Sequence, residues 1–459
     1  MDFHRFVSSM AFPALVSRGA VLLLQIVFNI FPDHAADAFK PKVDEVELGI
    51  LDKIPEVLFD GFHKWDAKYF LHIAEHGYEE EKMFAFFPMF PAMLRGFASI
   101  LPFPDTLLSF YSRLLLAGFI LNTAFFVGAT VAIFNLTMAI YQDRKFAILC
   151  SILFSFNPAS IFFSSNYTEA LYSFCVFNGL FHLEKRSYFL ATSFFVGASA
   201  TRSNGTVNAG FVAYYAIKEI FHVASNSENK VLQQWTVFKI IGILIRTAAS
   251  CILIFLPFIA FITYGHGKFC SQRDGVPEWC EASFPNIYSH VQKQHWDVGL
   301  FMYYRIRKIP NFILALPCAL LVAYGIFHYL RANRIQIVSL GLLTDYTNSK
   351  HNKLLEFAKV NVFVYVCHSL FLLLFGICFM HIEVITRFLF SSSPLPIWVA
   401  SSLIYADTKA ADITLSMQNL LGYSNIFPVL SAKSKLVYFY FLLYIIVGTF
   451  MHVNYLPWT

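Results

Sequence analysis

A chain of 459 residues that is 57% hydrophobic and only 14% charged falls well below the ~25% charged residues of an ordinary soluble domain. Its 53 Phe and 23 Tyr cannot cover a water-facing surface, so lipid is the solvent for much of the molecule. A net charge of +5 is too modest to argue for a nucleic-acid partner.

A spanning helix must cover ~30 Å of hydrocarbon at ~1.5 Å per residue, so runs of ~20 apolar residues are the unit to count. The first run, 12–31, closes on Phe31-Pro32-Asp33 rather than on a small-residue cleavage site, and reads as a retained helix. Further spans are predicted at 113–135, 146–164, 168–184, 188–203, 205–222, 241–264, 311–330, 360–380 and 436–455. A weakly apolar stretch at 395–406 spans or re-enters, which gives about ten or eleven helices in one all-α polytopic membrane domain over 1–459. The segment 84–104 is apolar but broken by Pro88, Pro91, Pro102 and Pro104, and predicts a short interfacial helix instead of a span.

Lys and Arg stay on the cytoplasmic side of short loops. With the N-terminus in the cytosol, Asp143-Arg144-Lys145, Lys185-Arg186, Lys218 to Lys239 and Arg331 to Lys359 all fall inside. Two long polar loops, about 32–111 and 265–310, then lie on the lumenal or exterior face, where chemistry is to be sought. Cys270 and Cys280 are the two cysteines in a polar loop; a disulfide and two free thiols are both open for them.

The first of these loops crowds carboxylates, imidazoles and lysines beside aromatic rings that anchor at a membrane surface: Asp60, His63, Lys64, Trp65, Asp66, Lys68, Tyr69 and His76. A helix over 65–76 would place Asp66, Tyr69 and Phe70 on one face, with rings to dry the carboxylate and stack on a sugar. The alternative is that Asp66 caps a helix or merely keeps a long loop solvated. Glu81, third of three adjacent acids, is the candidate second acid for proton handling. Glu169 and Arg202 interrupt apolar runs, and Asn204 follows; ionisable groups at membrane depth are costly and point to a site, or pair for helix packing. Arg305, Arg307 and Lys308 precede a span on the predicted lumenal side, against the charge bias, as phosphate-binding cations would; the alternatives are that this helix is oriented the other way or that the cations pair with nearby carboxylates.

Several strings together resemble the GPI mannosyltransferase 2 family: Trp65-Asp66-Ala67-Lys68-Tyr69-Phe70 through His76-Gly77-Tyr78 to Phe84-Ala85-Phe86-Phe87-Pro88, then Phe156-Asn157-Pro158, Tyr167-Thr168-Glu169, Thr201-Arg202-Ser203-Asn204-Gly205, Ile309-Pro310-Asn311-Phe312, Ser391-Ser392-Ser393-Pro394 and Leu456-Pro457-Trp458-Thr459. The resemblance runs in order along nearly the whole chain. It implies a GT-C-type glycosyltransferase of the endoplasmic reticulum that adds the second mannose, in α-1,6 linkage, to a mannosyl-glucosaminyl-phosphatidylinositol acceptor. Dolichyl phosphate mannose would be the donor, an acid of the first lumenal loop would be essential, and Asp66 is the position that fits. Glu79 and Glu80 depart from the expected pattern, whereas Glu81 agrees with it. The expected site thus has Asp66 and Glu81 as catalytic acids, with Trp65, His63, Lys68, Tyr69, His76, Glu169, Arg202, Asn204, Arg305 and Arg307 around the substrates. No cofactor and no metal are expected; membrane lipid and a small membrane subunit are the other expected partners. A lipid or sugar transporter or flippase would carry internal repeats, which are not seen; a non-catalytic subunit of a membrane glycosyltransferase complex is the remaining alternative.

Overall fold

A computed structural model describes residues 3–34, 49–225, 230–271, 277–343, 355–410 and 427–458. Parts of the two long loops and of the cation-rich segments 218–239 and 331–359, together with Thr459 of the terminal string, lie outside the described residues. Among those described, the protein is all-α.

Among the described residues, five helices are long and apolar enough to cross a membrane: Met10–Phe28, within α1 (Phe3–Phe28); α5 (Phe110–Tyr141); Thr236–Phe269, within α10 (Lys230–Phe269); Ile306–Ala332, which includes α12 (Ile309–Ala332); and α17 (Ala432–Val453). A sixth is added if the bent pair Ile382–Ser392 and Leu395–Ala410, at 78° to each other, forms one broken span. These two carry α15 (Ile385–Ser392) and α16 (Leu395–Ala410), so the stretch expected to span or re-enter is sharply broken after Ser392. The protein is therefore a multi-pass membrane protein.

The expected count of ten or eleven long spans is higher than this. Runs 146–164, 168–184, 188–203, 205–222 and 360–380 yield α6 (Arg144–Ser155), α7 (Glu169–Glu184), α8 (Tyr188–Thr201), α9 (Ala209–Ser225) and α14 (Phe363–Phe379), of 12 to 17 residues. At ~1.5 Å per residue these reach ~18–26 Å, short of ~30 Å of hydrocarbon. α6 and α7 are also buried nearly all round, so their apolar faces meet protein. Between them the chain is irregular yet buried, and Asn157 holds it by donating to the Phe154 carbonyl (2.8 Å) and accepting from the Ala159 N–H (2.8 Å). Irregular backbone at membrane depth is tolerated only inside protein in this way.

α5 and α7 form the centre, with α8 on α7, α6 and α1 on α5, and α17 against α1 and α16. Local chemistry sets the ends. Ser109 caps α5 by accepting from the Ser112 N–H at 3.3 Å, Gln142 ends it in a left-handed turn, and Asp143 caps α6 through the Phe146 N–H at 3.1 Å.

The first long loop holds α2 (Lys53–Phe59), α3 (Ala67–His76) and α4 (Met89–Ile100). α4 is 12 residues and too short to span, as its prolines predict. The second loop carries α11 (Ile287–Trp296), capped by Asn286 through the Ser289 N–H at 3.1 Å. Cys270 and Cys280 are joined in a disulfide where this loop leaves α10.

Candidate active site

Asp66 sits at the entry to α3, and its neighbour Trp65 has φ +56°, a left-handed conformation that a bulky residue rarely adopts. Such strain persists only where surroundings over-determine it. Here the Trp65 ring lies 5.5 Å from Tyr455, and the Asp66 N–H donates to the Tyr167 hydroxyl at 3.2 Å. The Asp66 side chain makes no capping bond to α3, which removes the capping alternative.

Its carboxylate instead begins an alternating chain of charges. Arg387 Nη2 donates to Asp66 Oδ2 at 2.9 Å, Arg387 Nη1 donates to Glu169 Oε1 at 3.2 Å, and Arg202 Nη1 donates to the same Glu169 oxygen at 2.6 Å. α3, α15, α7 and the end of α8 each bring one member. Glu169 is wholly buried and Oε2 has no partner among the described residues. Two acids and two guanidiniums balance, as burial of charge requires.

The Arg387 guanidinium lies 5.2 Å from the Phe162 ring and 5.1 Å from the Tyr167 ring. Behind Tyr167 stands His452, 5.5 Å away ring to ring, fixed by Ser165 (3.3 Å) and by the Trp458 carbonyl (3.2 Å). The end of α17 and the residues after it thus back the site.

Asp66, Arg387, Arg202 and Asn204 form the polar floor of a cleft of about 540 Å³. Its walls are largely apolar, with Ser289 and Gln292 of α11 among them, and come from α3, the segment 85–87, α10, α11 and α14. Phe371 and Phe375 of α14 line it while staying 49% and 37% exposed, so the wall continues onto the outside of the bundle. The Trp296 ring packs edge-on against Tyr69 (6.0 Å) and Phe86 (5.7 Å), tying α11 to the first loop. Arg202 spends only Nη1 on a hydrogen-bond partner among the described residues, which leaves donors for an anion in the cleft.

The other expected residues divide. Asn204 lines the cleft and donates to Ser392 Oγ at 3.1 Å. Tyr69 stacks on Phe86 at 4.6 Å; burial first, then the charges of Asp66 and Glu80, push its phenol up to about 12, so it stays a protonated donor. His63 lies 3.0 Å from Asp60, Lys68 sits over the Tyr455 ring at 5.2 Å, and His76 is 3.4 Å from Glu75; with Trp65 they surround the Asp66 loop without lining the cleft.

Glu81 is also outside the cleft lining. It accepts from Trp279 Nε1–H at 3.1 Å and lies 4.0 Å from His290, so it fastens the second loop to the first. Arg305 is exposed and paired with Asp297 at 3.0 Å, and Arg307 is exposed; neither lines the cleft. The cations that do line it are Arg202 and Arg387.

Sequence reasoning missed Arg387 and the hydroxyl of Tyr167. A lone Arg in the apolar run Phe388-Leu389-Phe390 and its upstream neighbours carries the same intramembrane-charge signal that singled out Arg202.

A largely apolar cleft with a carboxylate and guanidiniums at its floor, in a multi-pass membrane protein, suits a substrate with a long apolar part and a polar end. A family described as Mannosyltransferase (PIG-V) matches residues 9–459, and the chain belongs to this GPI mannosyltransferase 2 family. It is 34% identical to human GPI alpha-1,6-mannosyltransferase 2, covering 97% of each chain, and 29% identical to GPI mannosyltransferase 2 of Drosophila pseudoobscura pseudoobscura, covering 97% of this chain and 98% of that one. Among solved structures it is similar to the archaeal oligosaccharyltransferase AglB of Archaeoglobus fulgidus, at 11% identity and a TM-score of 0.43, spanning 96% of this chain and 56% of that one.

Proposed function

We propose that this protein adds the second mannose, in α-1,6 linkage, to the one-mannose glycosylphosphatidylinositol precursor, using dolichyl phosphate mannose at the lumenal face of the endoplasmic reticulum. The architecture of this reading is GT-C: membrane helices around a carboxylate from the first lumenal loop. The observation that carries it is Asp66 at the polar floor of a largely apolar cleft, in a chain 34% identical over nearly its whole length to a relative named for that linkage.

A β-linked phosphate donor and an α product require inversion, so one displacement suffices. The acceptor's 6-hydroxyl oxygen uses a lone pair to bond the anomeric carbon. The bond from that carbon to the phosphate oxygen breaks, its electron pair stays on the phosphate, and the hydroxyl proton passes to Asp66 Oδ1. One negative charge leaves Asp66 and one appears on the phosphate, so no general acid is needed. The transition state is oxocarbenium-like, as in glycoside chemistry. Arg202, with Asn204 beside it, takes the phosphate and meets its growing charge. Phe86, Phe371 and Phe375 give apolar surface to the donor's lipid chain.

Microsomes lacking the endogenous activity, given dolichyl phosphate mannose and the one-mannose precursor, test the reading. Wild type forms the two-mannose product, and Asp66→Ala at normal level loses it by ~10²-fold or more. No product from wild type overturns the function; full activity in Asp66→Ala overturns the base.

A further inference from the structure

Asp66 presents two unlike oxygens: Oδ2 is held by Arg387, whereas Oδ1 has no hydrogen-bond partner among the described residues and belongs to a cleft-lining side chain. A carboxylate free to rotate about its Cβ–Cγ bond offers either oxygen at any angle. One held at Oδ2 by a guanidinium offers Oδ1 in one direction. The guanidinium is itself immobilised, by the Phe162 and Tyr167 rings and by its second bond to Glu169. Glu169 in turn takes the shorter bond from Arg202, the cation with donors left for an anion.

Resting on the transfer proposed above, we infer that Arg387 is its positioning residue: it aims Asp66 Oδ1 at the acceptor hydroxyl and, through Glu169, fixes that carboxylate relative to the guanidinium that holds the donor's phosphate. The reaction moves a negative charge from Asp66 to the phosphate. The Arg387 charge beside Asp66 favours the ionised carboxylate and so does not itself assist the proton transfer; what Arg387 contributes is aim, while the guanidinium of Arg202 beside the phosphate meets the growing charge without rearranging. Arg387 touches neither reacting centre in this scheme; it acts through Asp66.

The test compares Arg387→Gln, Arg387→Lys, Glu169→Gln and wild type in the same microsomal assay with dolichyl phosphate mannose, each at matched protein level. Arg387→Gln lowers kcat by ~10²-fold while the acceptor KM stays within ~3-fold, because aim is lost and binding is not. Arg387→Lys lowers kcat by ~10-fold, since an ammonium keeps the charge but not the fork that reaches two carboxylates. Glu169→Gln lowers kcat and also raises the donor KM, and the Arg387→Gln/Glu169→Gln double variant is no slower than Arg387→Gln, as members of one chain are not additive. An Arg387→Gln enzyme with undiminished kcat, or a loss confined to KM, overturns the inference while an active wild type and an inactive Asp66→Ala leave the function standing. If Arg387→Gln does not accumulate, Arg387→Lys decides alone: unchanged kcat overturns the positioning role. Wild type without product overturns the function itself.

Discussion

Gly205 offers a test of how finely the cleft floor is set. It lies in the 3-10 turn Ser203–Asn208, which follows Arg202; its N–H donates to the Arg202 carbonyl at 2.9 Å and its own carbonyl accepts from Asn208 Nδ2 at 2.9 Å. A Cβ there would come under 3.0 Å from the backbone N of Ser199 and the backbone C and O of Ala198. Carbon contacts are comfortable near ~3.5–4.0 Å, so the turn and the last turn of α8 must part by about 1–1.7 Å. Backbone cannot give as a side-chain end can, and overpacking of this size costs about 1–3 kcal/mol. The residues displaced are Arg202, Ser203 and Asn204, all lining the cleft. A misplacement of ~1 Å is worth up to ~10²-fold in rate, so Gly205→Ala is expected to lower mannosyl transfer by ~10- to 100-fold at near-normal protein level. The control is Gly210→Ala, five positions on in α9, where a Cβ meets nothing within 4 Å; it should leave transfer unchanged. The assay is product formation in microsomes normalised by immunoblot. Equal rates for the two variants would refute the reasoning.

Three further outcomes are expected. Glu81→Gln keeps an oxygen for Trp279 and should stay within ~3-fold of wild type in kcat; a ~10²-fold loss, of the size general acid–base catalysis supplies, would make Glu81 catalytic after all. Burial alone would raise the Asp60 carboxyl, but His63 and Lys64 outweigh it and hold it well below the usual carboxylate range. A depressed folded value means stabilisation that is complete above the unfolded value of ~3.9 and lost as pH falls through the folded one. Thermal scans in detergent should therefore show wild type losing midpoint temperature below about pH 4, relative to Asp60→Asn, and parallel curves would contradict this. Alkylation of unreduced protein followed by mass spectrometry should leave Cys270 and Cys280 unlabelled, and the double Ser variant should transfer more slowly because the turn Glu278–Glu281, which holds Trp279 against Glu81, loses its tie to α10; labelling of both thiols would sink the bridge.

Asp66 was legible because a local string placed a carboxylate beside Trp65, Tyr69 and Phe70, and local strings survive folding. Glu169, Arg202 and Asn204 were legible because polar residues in apolar runs are conspicuous, and folding brought Glu169 and Arg202 into one ion-pair chain with Asn204 on the same cleft floor. The pairing with Arg387 was not legible: it stands 321 positions after Asp66, and no spacing rule reaches that far. Arg305 and Arg307 were read from charge bias alone, which reports the side of a membrane and says nothing of distance to a cleft. Run length located α7 closely, 168–184 for the observed Glu169–Glu184, but it does not tell a helix wrapped by protein from one wrapped by lipid, since both have the same apolar pattern.

The separation of Asp66 from its partner also has a consequence in time. A ribosome working at ~5–20 residues per second delivers Arg387 roughly 15–65 s after Asp66, and the Trp458 carbonyl that fixes His452 arrives later still. Throughout that interval the nascent chain holds the Asp66 loop without the Arg387 that pairs its carboxylate and without the Tyr455 ring that packs on Trp65. The ion-pair chain at the cleft floor is therefore completed late in synthesis, after the Asp66 loop, α7 and Arg202 have waited for α15 to supply Arg387.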